Sequence, residues 1–392
     1  WKCSAAIWIH KSCKAGPCCS ARTFFCKTKH RQTCFLPRAA PGRGIFVPYA
    51  IYKPGGGVLY YKSAMISIAL SRYDHNAKKR RLAALVCFKG RITIMAKSLT
   101  RKQFDILVVL AEAEKPLSQR QIEEKTEYSL GTVNRTMQEL AELGFAAAGE
   151  ITPAGAAALE PYRAKRAIFI AAGFGSRMVP ITFNTPKPLV RVHGQRIIDG
   201  LIDACLEAGI NEIYIVRGYL AEQFDQLLYK YPMVKFLDNA VYNEANNISS
   251  SMAARHLLSN AYVLEADLVI SNPKIITKYH YRSDFLAIPK DRTDDWCFTV
   301  KDGIITEEKV GGLNCWQMVG ISYWDEEDGR KLAADIEHTY AQPGGKERYW
   351  EQVPLVFHKD HYQVEVRPCR DEDIIEIDTF RELKAIDKTY DV

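Results

Sequence analysis

The sequence predicts an α/β fold: a mostly parallel, Rossmann-like sheet covered on both faces by helices, preceded by a small winged helix-turn-helix segment. Two observations carry this reading. Val/Ile-rich runs at 166–172, 212–216, 235–237, 262–265 and 285–288 alternate with helix-like stretches near 196–208, 221–229 and 247–258, the order that builds parallel strands joined by helical crossovers. Ahead of them, residues 97–160 carry apolar side chains at helical spacing, with capping residues between the runs. A length of 392 residues, 47% of them apolar and 25% charged, leaves room for two globular domains and an extension. No stretch reaches the ~18 uninterrupted apolar residues of a membrane span, and the start lacks the order of a secretory signal. A cytoplasmic chain without membrane insertion is expected.

The net charge of +7 divides unevenly. Residues 1–94 hold 18 Lys/Arg against the single acid Asp74, a net of +17, whereas the remaining residues carry a net of −10. This first part has no sustained apolar period and almost no carboxylates to pair with its cations. Cys13, Cys18, Cys26, His30 and Cys34 are its candidate zinc ligands, but their spacing matches no paired C-x-x-C pattern. We expect a non-native or disordered, basic, Cys-rich extension, with ordinary patterning starting at Met95; a polyanion-binding tail is the alternative. The four later cysteines suit a reducing compartment.

Residues 95–162 predict a domain of their own. Phe104, Leu107, Val108 and Leu110 recur at helical spacing, Pro116 and Leu117 end that helix, and Ser118 caps a second over 119–125. Ser129 can cap a third over 130–143, with Gly144 just past its end. Phe145 to Thr152 then form a short wing. The segment resembles the winged helix-turn-helix of MarR-like regulators. That resemblance makes DNA a possible partner through residues 118–152, with Asn134, Arg135 and Gln138 on the reading helix. The charge disfavours it: residues 97–160 carry seven basic and ten acidic side chains, whereas phosphate neutralisation supplies most non-specific affinity. Protein docking or regulation is the preferred reading.

Residues 165–392 hold the chemistry. The run Arg166–Ala172 reads as a buried parallel strand and empties into Gly173-Phe174-Gly175-Ser176-Arg177-Met178, followed by Asn184-Thr185-Pro186-Lys187-Pro188-Leu189. Glycines after a strand let backbone N–H groups approach phosphate oxygens, and Arg177 adds a planar cationic fork. Lys187, stiffened between two prolines, can meet the same phosphates from another side. Ala171, Ala172, Gly173, Gly175, Ser176, Arg177 and Lys187 are therefore the candidate nucleotide-binding residues. Asp267 and Asp378 each follow a Val/Ile/Leu-rich run, as strand-end carboxylates suited to Mg²⁺.

The full string G-x-G-S-R-M-x-P-x-T…T-P-K-P-L resembles the signature of nucleotidyltransferases of the sugar-phosphate type. Within them the chain resembles the bacterial CTP:phosphocholine cytidylyltransferases of the choline-incorporation pathway. The likeness runs from about Arg166 to the end and includes Gly218-Tyr219, Asn246-Asn247, Asp295-Trp296, Tyr349-Trp350 and Glu376-Ile377-Asp378. It implies a GT-A type fold and transfer of CMP from CTP to phosphocholine, giving CDP-choline and pyrophosphate. Lys187, Arg177, Asp267 and Asp378 would be catalytic, with Mg²⁺ on Asp267 and Asp378. The family has Asp-x-Asp where this chain has Glu265-x-Asp267. Trp296 and Tyr349 match aromatic residues of the family's choline pocket, and Trp350 is a neighbouring candidate; aromatic faces suit a quaternary ammonium, which has no N–H to donate. Asp294 and Asp295 can add negative charge, while Trp316 and Trp324 read as core. Three alternatives remain open: the same chemistry on 2-aminoethylphosphonate or phosphoethanolamine, a sugar-1-phosphate nucleotidyltransferase, or a transcription regulator with a nucleotide-sensing domain. Nothing in the sequence specifies the oligomeric state.

Overall fold

The computed structural model describes residues 99–391, together with six three-residue strands between Ile45 and Thr93. Those six pair as antiparallel couples, Ile45–Val47 with Ala64–Ile66, Ala50–Tyr52 with Val58–Tyr60, and Val86–Phe88 with Arg91–Thr93. The zinc and extension readings of residues 1–94 otherwise lie outside the described residues.

From Leu99 onward the chain is one compact unit. Thr100 closes a capping box with Gln103 and opens α1 (Arg101–Ala111); Ser118 does the same with Gln121 for α2 (Gln119–Thr126). Each box satisfies backbone N–H groups that a helix start leaves without partners. α3 (Leu130–Glu142) follows Ser129, whose hydroxyl meets Thr132 Oγ1 at 3.1 Å instead of capping the helix. Gly144 leaves α3 with φ of 74°, as a C-terminal glycine does. The wing is minimal, an antiparallel pair of β1 (Ala146–Ala147) and β2 (Glu150–Ile151). Thr152 then caps α4 (Pro153–Leu159). Phe104, Ile106, Leu107, Leu110, Ile122, Val133 and Leu140 fill this core, at about 1.5–3 kcal/mol for each large apolar side chain removed from water. Asn134, Arg135 and Gln138 lie exposed on α3.

The larger part of the unit alternates strands and helices as expected. β3 (Arg166–Ala171) leads through α5 (Ile197–Glu207) to β4 (Glu212–Arg217) and β5 (Lys235–Asp238). α6 (Ile248–Ala254) then returns the chain to β6 (Ala261–Glu265) and the short β7 (Leu268–Ile270). Two long arms follow, β8 (Asp284–Lys301) and β9 (Ile304–Trp324), then α7 (Glu326–Tyr340), β10 (Glu365–Pro368), β11 (Ile374–Glu376) and α8 (Phe380–Ile386). The expected helix over 221–229 is a 3₁₀ helix. The expected strand at 285–288 is the start of a much longer one, whose bulges between Phe285 and Val300 hide the alternation in sequence.

The seven-stranded sheet has the order β5-β4-β3-β6-β9-β8-β10. β3, β4, β5 and β6 are parallel, and β9 runs antiparallel to both β6 and β8. Successive residues of β3 feed opposite cores, Phe169 one face and Ile168 the other, so both faces are covered. The chain leaves β3 toward β4 and comes back on its other side as β6. That reversal opens a crevice at the carboxyl ends of β3 and β6, the place where such sheets bind ligands. Among the described residues no helix is long and apolar enough to cross a membrane.

Candidate active site

The loop leaving β3 is shaped by Gly175. Its φ is 61°, and a Cβ there would lie 3.0 Å from Lys187 Cβ, so only glycine lets the loop fold against the Lys187 segment. Thr182 Oγ1 donates to the Gly175 carbonyl at 2.8 Å, and Tyr219 N–H donates to the Ala172 carbonyl at 3.1 Å, which holds the loop from two sides. Ala171, Ala172, Gly173, Gly175, Ser176, Arg177 and Lys187 all line one cleft of about 720 Å³.

Asp267 and Asp378 reach the same cleft from separate parts of the chain. β7 and β11 pair antiparallel, Leu268 opposite Glu376 and Ile270 opposite Ile374, which brings the residues flanking each strand together. Lys187 Nζ donates to Asp267 Oδ2 at 2.7 Å and to Asp378 Oδ1 at 3.0 Å, while Arg177 Nη2 donates to Asp378 Oδ1 at 2.8 Å. Lys187 is nearly buried and Arg177 is 68% exposed. Burial alone would lower the Lys187 pKa, but the charges of Asp267 and Asp378 outweigh it and hold the ammonium above the ordinary lysine value.

Four further carboxylates converge here that were not assigned roles from sequence. Glu265 ends β6, Glu308 stands on β9, Glu351 follows α7 and Glu376 ends β11; all line the cleft. Burial raises the Glu265 pKa well above the carboxylate range, with Glu351, Asp267 and Glu376 adding to it. Glu376 and Glu308 are each pushed up to about 8, by burial first and then by Asp267 and Asp378 or by Glu351. Burial takes Glu351 to about 7. A cleft this crowded with acids favours a cation. Asp267 Oδ1 is buried without a hydrogen-bond partner, and ligand oxygens of Glu265, Asp267 and Glu376 lie within 4.8 Å of one another. An all-oxygen donor set suits a hard divalent ion such as Mg²⁺.

The expected acceptor residues separate. Trp296 and Tyr349 face each other in the cleft with ring centroids 5.7 Å apart, edge to face. Trp350 is a correction: it is 2% exposed, packs beside Phe285 and Trp324, and does not line the cleft. Adjacent residues project differently, so Tyr349 takes the cleft side and Trp350 the core. Trp324 is core as expected, and Trp316 packs partly buried against the same apolar cluster. Asp295 lines the cleft, whereas Asp294 is exposed beside Arg292 at 3.3 Å. Glu308 Oε2 is buried with no partner, and Glu351 is held by Asn247 Nδ2, 3.3 Å from both its oxygens. Asn247 Oδ1 also accepts from the Trp350 N–H at 2.9 Å, so one side chain ties the start of α6 to the Tyr349–Glu351 loop.

Residues 166–287 match the nucleotidyl transferase family, and residues 97–151 match the MarR family. The chain is 38% identical over 228 residues to a 2-aminoethylphosphonate cytidylyltransferase of Lancefieldella rimae, covering 57% of this chain and 92% of that one. It is 32% identical over 237 residues to a choline-phosphate cytidylyltransferase of Streptococcus pneumoniae, covering 57% and 97%. A solved structure of CTP:phosphocholine cytidylyltransferase from Streptococcus pneumoniae superposes with a TM-score of 0.52 at 30% identity, over 58% of this chain and 99% of that one.

Proposed function

Because the chain belongs to the nucleotidyltransferase family, as one of its cytidylyltransferases, we propose that it transfers CMP from CTP to a small zwitterionic acceptor, a phosphonate or phosphate monoester bearing a primary ammonium. An acceptor oxygen attacks the α-phosphorus, the bond to the β-phosphate oxygen breaks, and pyrophosphate leaves with the electron pair. The acceptor phosphate is mostly dianionic near neutral pH, with a second pKa of about 6, so no general base is required. Positioning and charge stabilisation carry the rate. Lys187 binds an α-phosphate oxygen as charge builds on it, Arg177 and the backbone N–H groups of 173–176 hold the β- and γ-phosphates, and Gly175 keeps the loop close. Asp267 and Asp378, with Glu265 and Glu376 beside them, would hold Mg²⁺, which when bound supplies charge neutralisation between the two anions.

The observation that carries the acceptor class is the unpartnered, buried Glu308 Oε2 in a cleft shared with Glu351. A primary ammonium brings three N–H donors to such oxygens; a quaternary one brings none. 2-Aminoethylphosphonate and phosphoethanolamine fit this requirement. Phosphocholine, placed first from sequence, is the second reading, and the Trp296–Tyr349 pair favours it. Pyrophosphate release measured with each NTP against 2-aminoethylphosphonate, phosphoethanolamine, phosphocholine and glucose 1-phosphate decides. CTP with a primary-amine acceptor should give the highest kcat/KM, and Glu308→Gln should raise the KM of that acceptor about tenfold without changing that of CTP. A higher kcat/KM with phosphocholine reverses the order of the two readings; a sugar phosphate as best acceptor overturns both.

A further inference from the structure

We propose that Asp335, His358 and His361 form a second metal site, outside the cleft, that binds Zn²⁺ and fastens the segment after the acceptor loop to α7. Asp335 stands on α7, and His358 and His361 lie in the turns of 353–361 that pack along that helix. One donor atom from each of the three lies within 4.8 Å of the others, and none of the three lines the cleft.

The distances suit an ion. Asp335 Oδ2 is 2.8 Å from His361 Nδ1, and Asp335 Oδ1 is 3.7 Å from His358 Nδ1. Tetrahedral Zn²⁺ with bonds of about 2.0–2.1 Å sets its donors roughly 3.3 Å apart, between those two values, so small side-chain rotations complete the geometry. The first is a hydrogen bond that the ion would replace; the second is too long for one and leaves His358 Nδ1 at ion-pair distance only. That ring's other nitrogen, Nε2, is 3.2 Å from Thr339 Oγ1. Donation of Nε2–H to the hydroxyl leaves Nδ1 bare, the tautomer a metal ligand needs, and supplies the outer hydrogen bond that ligating histidines keep. Tyr362 donates its hydroxyl to Asp335 Oδ2 at 2.5 Å, which orients the carboxylate. His338, one turn after Asp335 and with its ring 5.5 Å from that of His358, or a water completes the set.

Two imidazoles with one carboxylate select Zn²⁺, in contrast to the all-oxygen cleft. His361 is half exposed, which gives the ion a way in. The anchored segment continues directly from Tyr349 and Glu351, so the ion would brace the wall that carries them.

The test uses the full chain stripped with chelator and ZnCl₂ as the probe. Because the cleft carboxylates can also take Zn²⁺, stoichiometry is compared between wild type and the double variant His358→Gln/His361→Gln, and the bound metal is examined by X-ray absorption. Wild type should bind one Zn²⁺ more than the variant, with additional imidazole scattering; no histidine lines the cleft, and any ligands within residues 1–94 are common to both chains, so the difference between the two spectra reports this site. Added Zn²⁺ should raise the wild-type Tm by several degrees and leave that of the variant unmoved. Mg²⁺-dependent pyrophosphate release by the variant, within twofold of wild type, reports that it folds. His361→Gln alone should weaken the site at least tenfold. Equal stoichiometry in folded wild type and variant, or oxygen-only scattering in wild type, overturns the site whatever acceptor the cleft prefers.

Discussion

Lys187 is a nearly buried cation held between two carboxylates from distant parts of the chain, whereas Arg177 reaches one of them, Asp378, from solvent. The difference in burial predicts a difference in role. A buried, oriented ammonium acts most where negative charge builds, on the α-phosphate oxygens as pyrophosphate departs; removing an interaction made mainly in the transition state lowers kcat more than binding. Lys187→Ala should therefore cut single-turnover rates about 10²–10³-fold while the CTP Kd changes far less; equal losses in the two measurements would remove the role assigned to it. These two cations were legible because the glycine loop and the Pro-Lys-Pro string sit next to each other in sequence. Glu308 and Glu351 were not. Glu308 sits beside Glu307 and Lys309 as an ordinary polar stretch and Glu351 is a lone acid after two aromatics, and only the meeting of β9 with the loop after α7 makes them neighbours of Glu265. Trp350 fails for the complementary reason: sequence gives its proximity to Tyr349 but not the side of the backbone from which each ring departs.

β6 delivers Glu265 to the cleft, and β9, its antiparallel neighbour, determines whether that side chain fits. Gly320 lies in β9 with φ of 68°, and a Cβ there would stand 2.5 Å from Glu265 Oε2. Gly320→Ala combines a left-handed backbone with a clash against a carboxylate end, so Glu265 must rotate out of the ligand set. We expect a loss of about 1–3 kcal/mol, the usual cost of a strained backbone at such a site, together with reduced turnover and a higher Mg²⁺ requirement; a urea titration and a Mg²⁺ titration of activity check the two effects separately. An unchanged Mg²⁺ requirement would mean that Glu265 has no part in holding the ion. The parallel strands, being short continuous apolar runs, were legible in sequence. The long arms were not, because bulges shift the inward face of β8 more than once between Phe285 and Val300, and of their polar residues Asp295 and Glu308 line the cleft while Arg292 and Asp294 are exposed. The capping signal held at Ser118, where Gln121 completes the box as Gln103 does for Thr100, and failed at Ser129, where no such partner follows.

The winged helix-turn-helix and the sheet share one compact unit, and a few named contacts join them. Tyr162 and Tyr281 stack with ring centroids 5.9 Å apart and both meet Phe104 of α1. Arg101 donates to Glu365 of β10 at 2.7 Å. Just beyond this seam lies a buried polar cluster in which Asp284 Oδ2 meets His280 Nδ1 at 2.5 Å and Asp284 Oδ1 accepts from Arg367 Nε at 3.0 Å. Burial would raise the Asp284 pKa, but His280 and Arg367 outweigh it and hold the carboxyl below its ordinary range. The folded chain thus binds fewer protons than the unfolded one just below the unfolded value of about 3.9. Stability from this cluster is present above that pH and is lost as pH falls through the folded value. Urea midpoints measured from pH 5 down to pH 3 should fall, and Asp284→Asn should start lower and fall less steeply; parallel slopes would deny the cluster this role. The seam itself is tested by Tyr281→Ala. Loss of a half-buried ring that meets both Phe104 and Tyr162 removes about 1–3 kcal/mol of packing, nearly all of it between the two parts and not within either. Arg101–Glu365 is partly exposed and contributes at most about 1 kcal/mol, too little to hold the winged helix alone. Limited proteolysis should then cut near 160–165 in Tyr281→Ala and spare wild type, while pyrophosphate release with saturating CTP and acceptor stays within about twofold, because no contact of the seam reaches the cleft. A matching collapse of turnover would instead mean that the winged helix, through β8 and β10, governs the shape of the acceptor end.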